Sequence, residues 1–185
     1  MEIRIIIAGS GGQGILFLGR MICQSALLED RNVTWFPSYG AEMRGGTANC
    51  TVVISETFIG SPVVRNPDML IVLNQASLKR FLSRLRSGGT IYYDSSLVSY
   101  DGERSDITAW PVPSSRIASE IGNPRLSNMV LLGAFAEASG VVSRESIFGA
   151  VPLAVTAGRS ALIEKNILAI TKGVEFVENQ ESARR

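Results

Sequence analysis

The sequence predicts an α/β fold: a mostly parallel, Rossmann-like sheet with helices on both faces and a helical C-terminal third. Three observations predict it. Short β-branched runs recur, and most are followed by a turn and then a helix-patterned segment. The first of these turns, Gly9-Ser10-Gly11-Gly12-Gln13-Gly14, is rich in glycine and sits between a strand-like and a helix-like stretch. From Ser114 onward the patterns are mostly helical. The chain has 185 residues, 45% of them hydrophobic and 19% charged. It reads as one domain over residues 1–185, large enough to bury a core without disulfides or metals.

The elements follow in order. Ile3 to Ala8 is a short apolar run suited to a buried parallel strand. After the glycine turn, Ile15, Leu18, Ile22, Ser25 and Ala26 fall near one face of a helix. Asn32 to Phe36 reads as a second strand, stopped by Pro37, and Thr47 to Ser55 as a third. Asp68 to Leu73 is another buried-strand run, and Asn74 suits the cap of the helix after it. In that helix Leu78, Phe81, Leu82 and Leu85 form one stripe; Lys79, Arg80, Arg84 and Arg86 read as a solvated face. Gly88-Gly89 reads as its left-handed end. Thr90 to Asp94 and Ile107 to Val112 are the last strands. Asn128 to Ala138 is an apolar, small-residue helix, and Ser143 caps the next, with Glu145 in its first turn. Ile163, Ile167, Ile170 and Val174 stripe the final helix, and Glu178 to Arg185 reads as a frayed polar tail.

Composition excludes several functions. The net charge of +1, with dispersed basic residues, gives no electrostatic case for nucleic acid or an anionic membrane. There is no histidine, which removes the commonest general base and the Ser–His and Cys–His nucleophile pairs. Cys23 and Cys50 lie far apart without a CxxC spacing, so metal or iron–sulfur ligation by this chain is not expected, and buried free thiols are. The first residues enter a strand-like run with no basic n-region, and no apolar run is long enough to span a bilayer; a cytoplasmic location is expected.

Gly9-Ser10-Gly11-Gly12-Gln13-Gly14 matches GxGxxG in the strand-to-helix setting of a dinucleotide fingerprint. Glycines let a phosphate approach the backbone, and a helix N-terminus offers free N–H groups. The fingerprint also expects an acidic residue at the end of the second strand, where this chain has Pro37-Ser38. Three readings stand: an anion site, a tight structural turn, or a nicotinamide or flavin site lacking its usual acid. A second loop, Ser38 to Thr47, holds Arg44 beside Gly45 and Gly46, where a guanidinium is sterically free to take a phosphate or carboxylate with two parallel hydrogen bonds. A mobile surface loop with an incidental Glu42–Arg44 pair is the alternative. In a third segment, Gly122 to Asn128, capping by Asn123 and Pro124 explains everything except Arg125. The binding residues singled out are therefore Gly9, Gly11, Gly12, Gln13, Gly14, Ser38, Arg44, Gly45 and Gly46, with no catalytic residue and no metal ligand.

Taken in order, GSGGQG after the first strand, PSYGAEMRGGTANC from Pro37 to Cys50, GSPVV, NPDMLIVLN and GNPRLSNMVLLG resemble the gamma subunit of 2-oxoacid:ferredoxin (acceptor) oxidoreductases, most like the 2-oxoglutarate type. The resemblance spans nearly the whole chain. It implies a role in the oxidative decarboxylation of a 2-oxoacid with coenzyme A, giving acyl-CoA, CO2 and reduced ferredoxin. It also implies alpha, beta and often delta subunits carrying thiamine diphosphate with Mg and the iron–sulfur clusters. This chain has neither a GDG-type diphosphate motif nor cluster cysteines. The rival readings are a stand-alone NAD(P) or FAD oxidoreductase, and a non-catalytic anion- or nucleotide-binding module.

Overall fold

In the computed structural model, residues 1–38, 47–155 and 160–184 are described. The elements are β1 (Glu2–Ser10), α1 (Ile15–Leu27), β2 (Asn32–Ser38), β3 (Thr47–Ser55), β4 (Met69–Val72), α2 (Gln75–Phe81), β5 (Thr90–Asp94), β6 (Thr108–Val112), α3 (Ser114–Glu120), α4 (Ser127–Ser139), α5 (Arg144–Ala154) and α6 (Ser160–Arg184). Short 3-10 turns follow α2 at Leu82–Arg84 and precede α4 at Pro124–Leu126.

One six-stranded sheet has the order β2-β3-β1-β4-β5-β6. The β1/β4, β4/β5 and β5/β6 pairs are parallel, and β3 is antiparallel to both β1 and β2. The sheet is thus mostly parallel, as the sequence predicts, with β3 as the single reversed strand.

The two faces are covered unequally. Ile5, Ile7, Val52, Ile54, Ile71 and Tyr92 point to one face, where α1, α3, α4, α5 and α6 bury them. There Tyr92 meets Phe135 of α4 edge to face, ring centroids 5.2 Å apart. Ile6, Val53, Leu70, Val72 and Ile91 point to the other face, which α2 covers with Leu78 and Phe81. The apolar stripe of α2 and its 3-10 extension is buried as expected, through Leu85. α4 is buried nearly all round, and its backbone touches that of α6. A Cβ on Gly133 would collide with the Ile170 carbonyl, and one on Gly173 with the Val130 carbonyl.

Several sequence expectations change. Pro37 does not stop β2, which runs on to Ser38 opposite Asn49. β2 is an edge strand, and a proline is tolerated there because an edge residue can leave its missing N–H on the unpaired side. The helix after β4 yields to a 3-10 turn at Leu82, well before Gly88, whose φ of 75° serves the turn into β5. Of its basic residues Arg84 is not fully solvated, since it donates to the carbonyls of Val64 and Arg65, whereas Arg86 pairs with Asp68 and stays exposed. The polar end of the chain is helical as far as Arg184, and Arg185 lies outside the described residues.

Candidate functional site

β1 and β2 point the same way, so their C-terminal ends share one edge of the sheet. Ser10 lies opposite Thr47, and Ser38 opposite Asn49. Ser38 and Thr47 therefore lie at the same end of the sheet as the glycine loop, Thr47 directly beside Ser10 and Ser38 one strand further out. Arg44, Gly45 and Gly46 lie outside the described residues; exposed Ser38 is described and sits at the end of β2.

Gly9 and Ser10 still belong to β1. Gly9 is buried, and a Cβ there would stand 2.5 Å from Ile15 Cδ1 and 2.7 Å from Gln13 Oε1. Gly11 and Gly12 are exposed, Gly12 with φ 91°. Gly14 heads α1 with φ 72°, a left-handed conformation that costs a non-glycine residue. The loop is held by its own side chains. The Ser10 amide donates to Gln13 Oε1 (2.6 Å), while Gln13 Nε2 donates to the Leu73 carbonyl (2.8 Å). Asn74 Nδ2 donates to Ser10 Oγ (2.6 Å), and Asn74 Oδ1 accepts from the Ser77 amide (2.7 Å), capping α2.

These bonds cross the switch point of the sheet. α1 leaves β1 over one face and α2 leaves β4 over the other, so the crevice between β1 and β4 is where a doubly wound fold usually seats a dinucleotide. Here Gln13 and Asn74 bridge that crevice, and Gln13 occupies the first loop amide. Together with Ser38 in place of an acid at the end of β2, this argues against a nicotinamide or flavin seat of the usual kind. The amides of Gly11 and Gly12 and the first turn of α1, which has no side-chain cap, remain the groups an anion could reach.

The third segment reaches the same place. Asn128, in the first turn of α4 and 4% exposed, donates through Nδ2 to the Gly14 carbonyl (3.2 Å), which also accepts from the Leu18 amide (2.9 Å). The head of α4 is thus pinned to the head of α1. Arg125 is exposed, its amide accepted by the capping Asn123 Oδ1 (3.3 Å). Asn74 and Asn128 are the site-forming residues that sequence reasoning missed as such. Asn128 had one local signal, a polar side chain beginning an apolar run.

The buried titratable groups are structural. Asp94, fully buried at the end of β5, accepts from the Ser96 amide (3.0 Å) and from the Ser115 amide (3.2 Å) and hydroxyl (2.5 Å), tying β5 to α3. Burial pushes the thiols of both Cys23 and Cys50 up to about 12, which keeps them protonated and poorly reactive. Among the described residues no group of three or more His, Cys, Asp or Glu could hold a metal ion. Among them, too, no helix is long and apolar enough to cross a membrane.

The family described as pyruvate ferredoxin/flavodoxin oxidoreductase matches residues 4–176. The chain is 40% identical to the ketoisovalerate oxidoreductase subunit VorA of Methanothermobacter thermautotrophicus, over 97% of this chain but 38% of that protein. It therefore spans less than two fifths of that relative's length. It is 38% identical to the 2-oxoglutarate synthase subunit KorC of Methanocaldococcus jannaschii, over 96% of this chain and 95% of that one. Among solved structures it superposes on the keto/oxoacid ferredoxin oxidoreductase gamma subunit of Geobacter sulfurreducens with a TM-score of 0.82. That match is 27% identical and covers 96% of this chain and 99% of the other.

Proposed function

Because the chain belongs to the pyruvate ferredoxin/flavodoxin oxidoreductase family, we propose that it is the gamma-type subunit of a cytoplasmic 2-oxoacid:ferredoxin oxidoreductase. One observation carries this reading: the chain matches a gamma subunit from end to end at both the sequence and fold levels, covering 96% of itself and 99% of the Geobacter protein. Residues 1–185 act as one domain beside alpha and beta subunits and a delta subunit. The complex turns a 2-oxoacid and coenzyme A into acyl-CoA and CO2, passing two electrons to ferredoxin. The thiamine diphosphate with Mg and the iron–sulfur clusters that this chemistry draws on belong to the partners. Two cysteines are too few for the four thiolates that usually hold a cluster, and the glycine loop is bridged across its crevice by Gln13 and Asn74.

The part left to this chain is to bind and position. Coenzyme A carries several phosphates. Gly11, Gly12 and the head of α1 offer N–H groups at the edge where β2 ends, and Arg44, Gly45 and Gly46 follow in the adjoining segment. Gly9, Gln13, Gly14 and Ser38 shape that edge. In a reconstituted complex, Arg44→Ala raises the KM for coenzyme A several-fold while assembly stays intact; an unchanged KM would refute this role.

The 2-oxoacid is 2-oxoglutarate in this reading, supported by the full-length correspondence with KorC. The identity to VorA, 40%, favours ketoisovalerate as the second reading. Anaerobic assay of the purified complex with both acids decides between them by the ratio of kcat/KM.

A further inference from the structure

The open face of the sheet is only half covered. Ile6, Thr51 and Phe36 form one cross-strand row on that face. Along this row burial falls from 1% exposed at Ile6 to 50% at Phe36. Neighbouring positions on the same face, Thr34, Ser38 and Asn49, carry no charge, and Arg4 stands in the next row beyond Val53. The segment after β3 climbs over this face, fixed where Thr51 Oγ1 donates to the Pro62 carbonyl (3.0 Å), beside Phe36. Next to that anchor Val63 is 62% exposed, and Phe58 on the same segment is 88% exposed. β2 is also the outermost strand of the sheet. Two phenyl rings and a valine, with Glu2, Arg4 and Arg65 bordering the valine, form the kind of mixed surface that a protein partner covers.

The relatives differ in how much of their length this module makes up. In KorC the module makes up nearly the whole chain, whereas in VorA it accounts for 38% of a longer polypeptide. One module that serves both as a separate chain and as part of a longer one needs a surface that packs on the rest, and the separate form must keep that surface to associate at all. The helical face of the sheet is closed by five helices, whose outer surfaces expose Leu153, Leu162 and Leu168, whereas the strongly exposed phenylalanines, Phe36 and Phe58, belong to β2 and the segment after β3.

We infer that Phe36, Phe58 and Val63 form the docking surface for a partner chain corresponding to the three fifths, roughly, of VorA that lie outside this match. The inference rests on the gamma-subunit reading and adds the place of contact. The partner's facing surface is apolar, with recesses for the two rings. A competing surface exists at Leu27, Leu28 and Leu153, but Leu28 already packs against α5, close to Gly149.

The test uses the native complex. A photo-crosslinking phenylalanine analogue is placed at position 58 or, separately, at 153 of the tagged chain, and the material is purified anaerobically and mapped by mass spectrometry. Adducts from position 58 are expected in a chain whose sequence aligns with the remainder of VorA, and none from position 153. Position 58 joined only to a second copy of this chain, or to nothing while the partners co-purify, overturns the placement and leaves the gamma-subunit reading standing. Purification of this chain alone overturns both. In parallel, the Phe36→Asp/Phe58→Asp double variant should melt within a few degrees of the parent when isolated and recover at least ten-fold less partner. Unchanged recovery also overturns the placement.

Discussion

Gly14 carries the tightest constraint at the sheet edge. Its φ is 72°, and a Cβ there would collide with Asn128 Nδ2. Gly14→Ala is expected to lose about 1–3 kcal/mol from backbone strain alone, with a further loss from displacing Asn128. A urea midpoint that falls at constant m measures it, and a midpoint equal to the parent's contradicts the geometry. Gln13→Ala unmakes the bonds to the Ser10 amide and the Leu73 carbonyl and should cost about 1–3 kcal/mol; a loss too small to measure would mean the crevice is not bridged in solution. At this scale the sequence was readable in part. GxGxxG marks the turn, and the missing acid at Ser38 already counted against a dinucleotide. That Gln13 reaches Leu73, and Asn128 reaches Gly14 across 114 positions, follows from no local pattern, because both depend on how β4 and α4 pack.

Among the elements, α4 and α6 show what small residues are for. Gly133→Ala would drive a methyl group into the Ile170 carbonyl. Such overpacking costs about 1–3 kcal/mol or more. Gly149→Ala in α5 meets only Leu28 Cδ1 at 3.3 Å, and alanine's better helix propensity, worth about 1 kcal/mol, offsets that contact. Thermal melts should rank Gly133→Ala well below Gly149→Ala; equal melting temperatures would contradict the close crossing. The α1–α5 junction adds a pH dependence. Burial alone would raise the Glu29 carboxyl, but hydrogen bonds from the Ser143 amide and the Ser146 and Ser143 hydroxyls, with Arg31 nearby, hold it below the usual carboxylate range. A carboxylate depressed by folding stabilises at pH values above its unfolded pKa, and the contribution fades as pH falls through the folded value. Glu29→Gln should therefore lower stability at pH 7, and the gap to the parent should shrink in acid; a gap that widens in acid would contradict this. Stripes and caps made these helices legible. The reach of β2 through Pro37 was not, because proline blocks only interior strands and the sequence does not say which strand is the edge.

For the whole molecule, the layer order was legible and the strand direction was not. β3 buries Val52, Val53 and Ile54 in succession because it lies between β1 and β2, with helices over Val52 and Ile54 and Val64 in the cluster over Val53. A strand buried on both sides reads as a continuous apolar run whichever way it points. Its reversal matters, since it brings Thr47 back beside Ser10. The unequal covering of the two faces was likewise hidden, because an apolar stripe shows that a helix packs without showing on which face. It leaves a folded module with one open margin, which suits a subunit that works beside others.

The most direct measurement is an anaerobic pull-down of the tagged chain from its native host, with mass spectrometry of what accompanies it and 2-oxoacid assays on the same material. The gamma-subunit account predicts accompanying chains with a thiamine diphosphate motif and cluster cysteines, and ferredoxin reduction that requires coenzyme A and a 2-oxoacid. A chain that emerges alone as a stable oligomer with a bound nucleotide would contradict it.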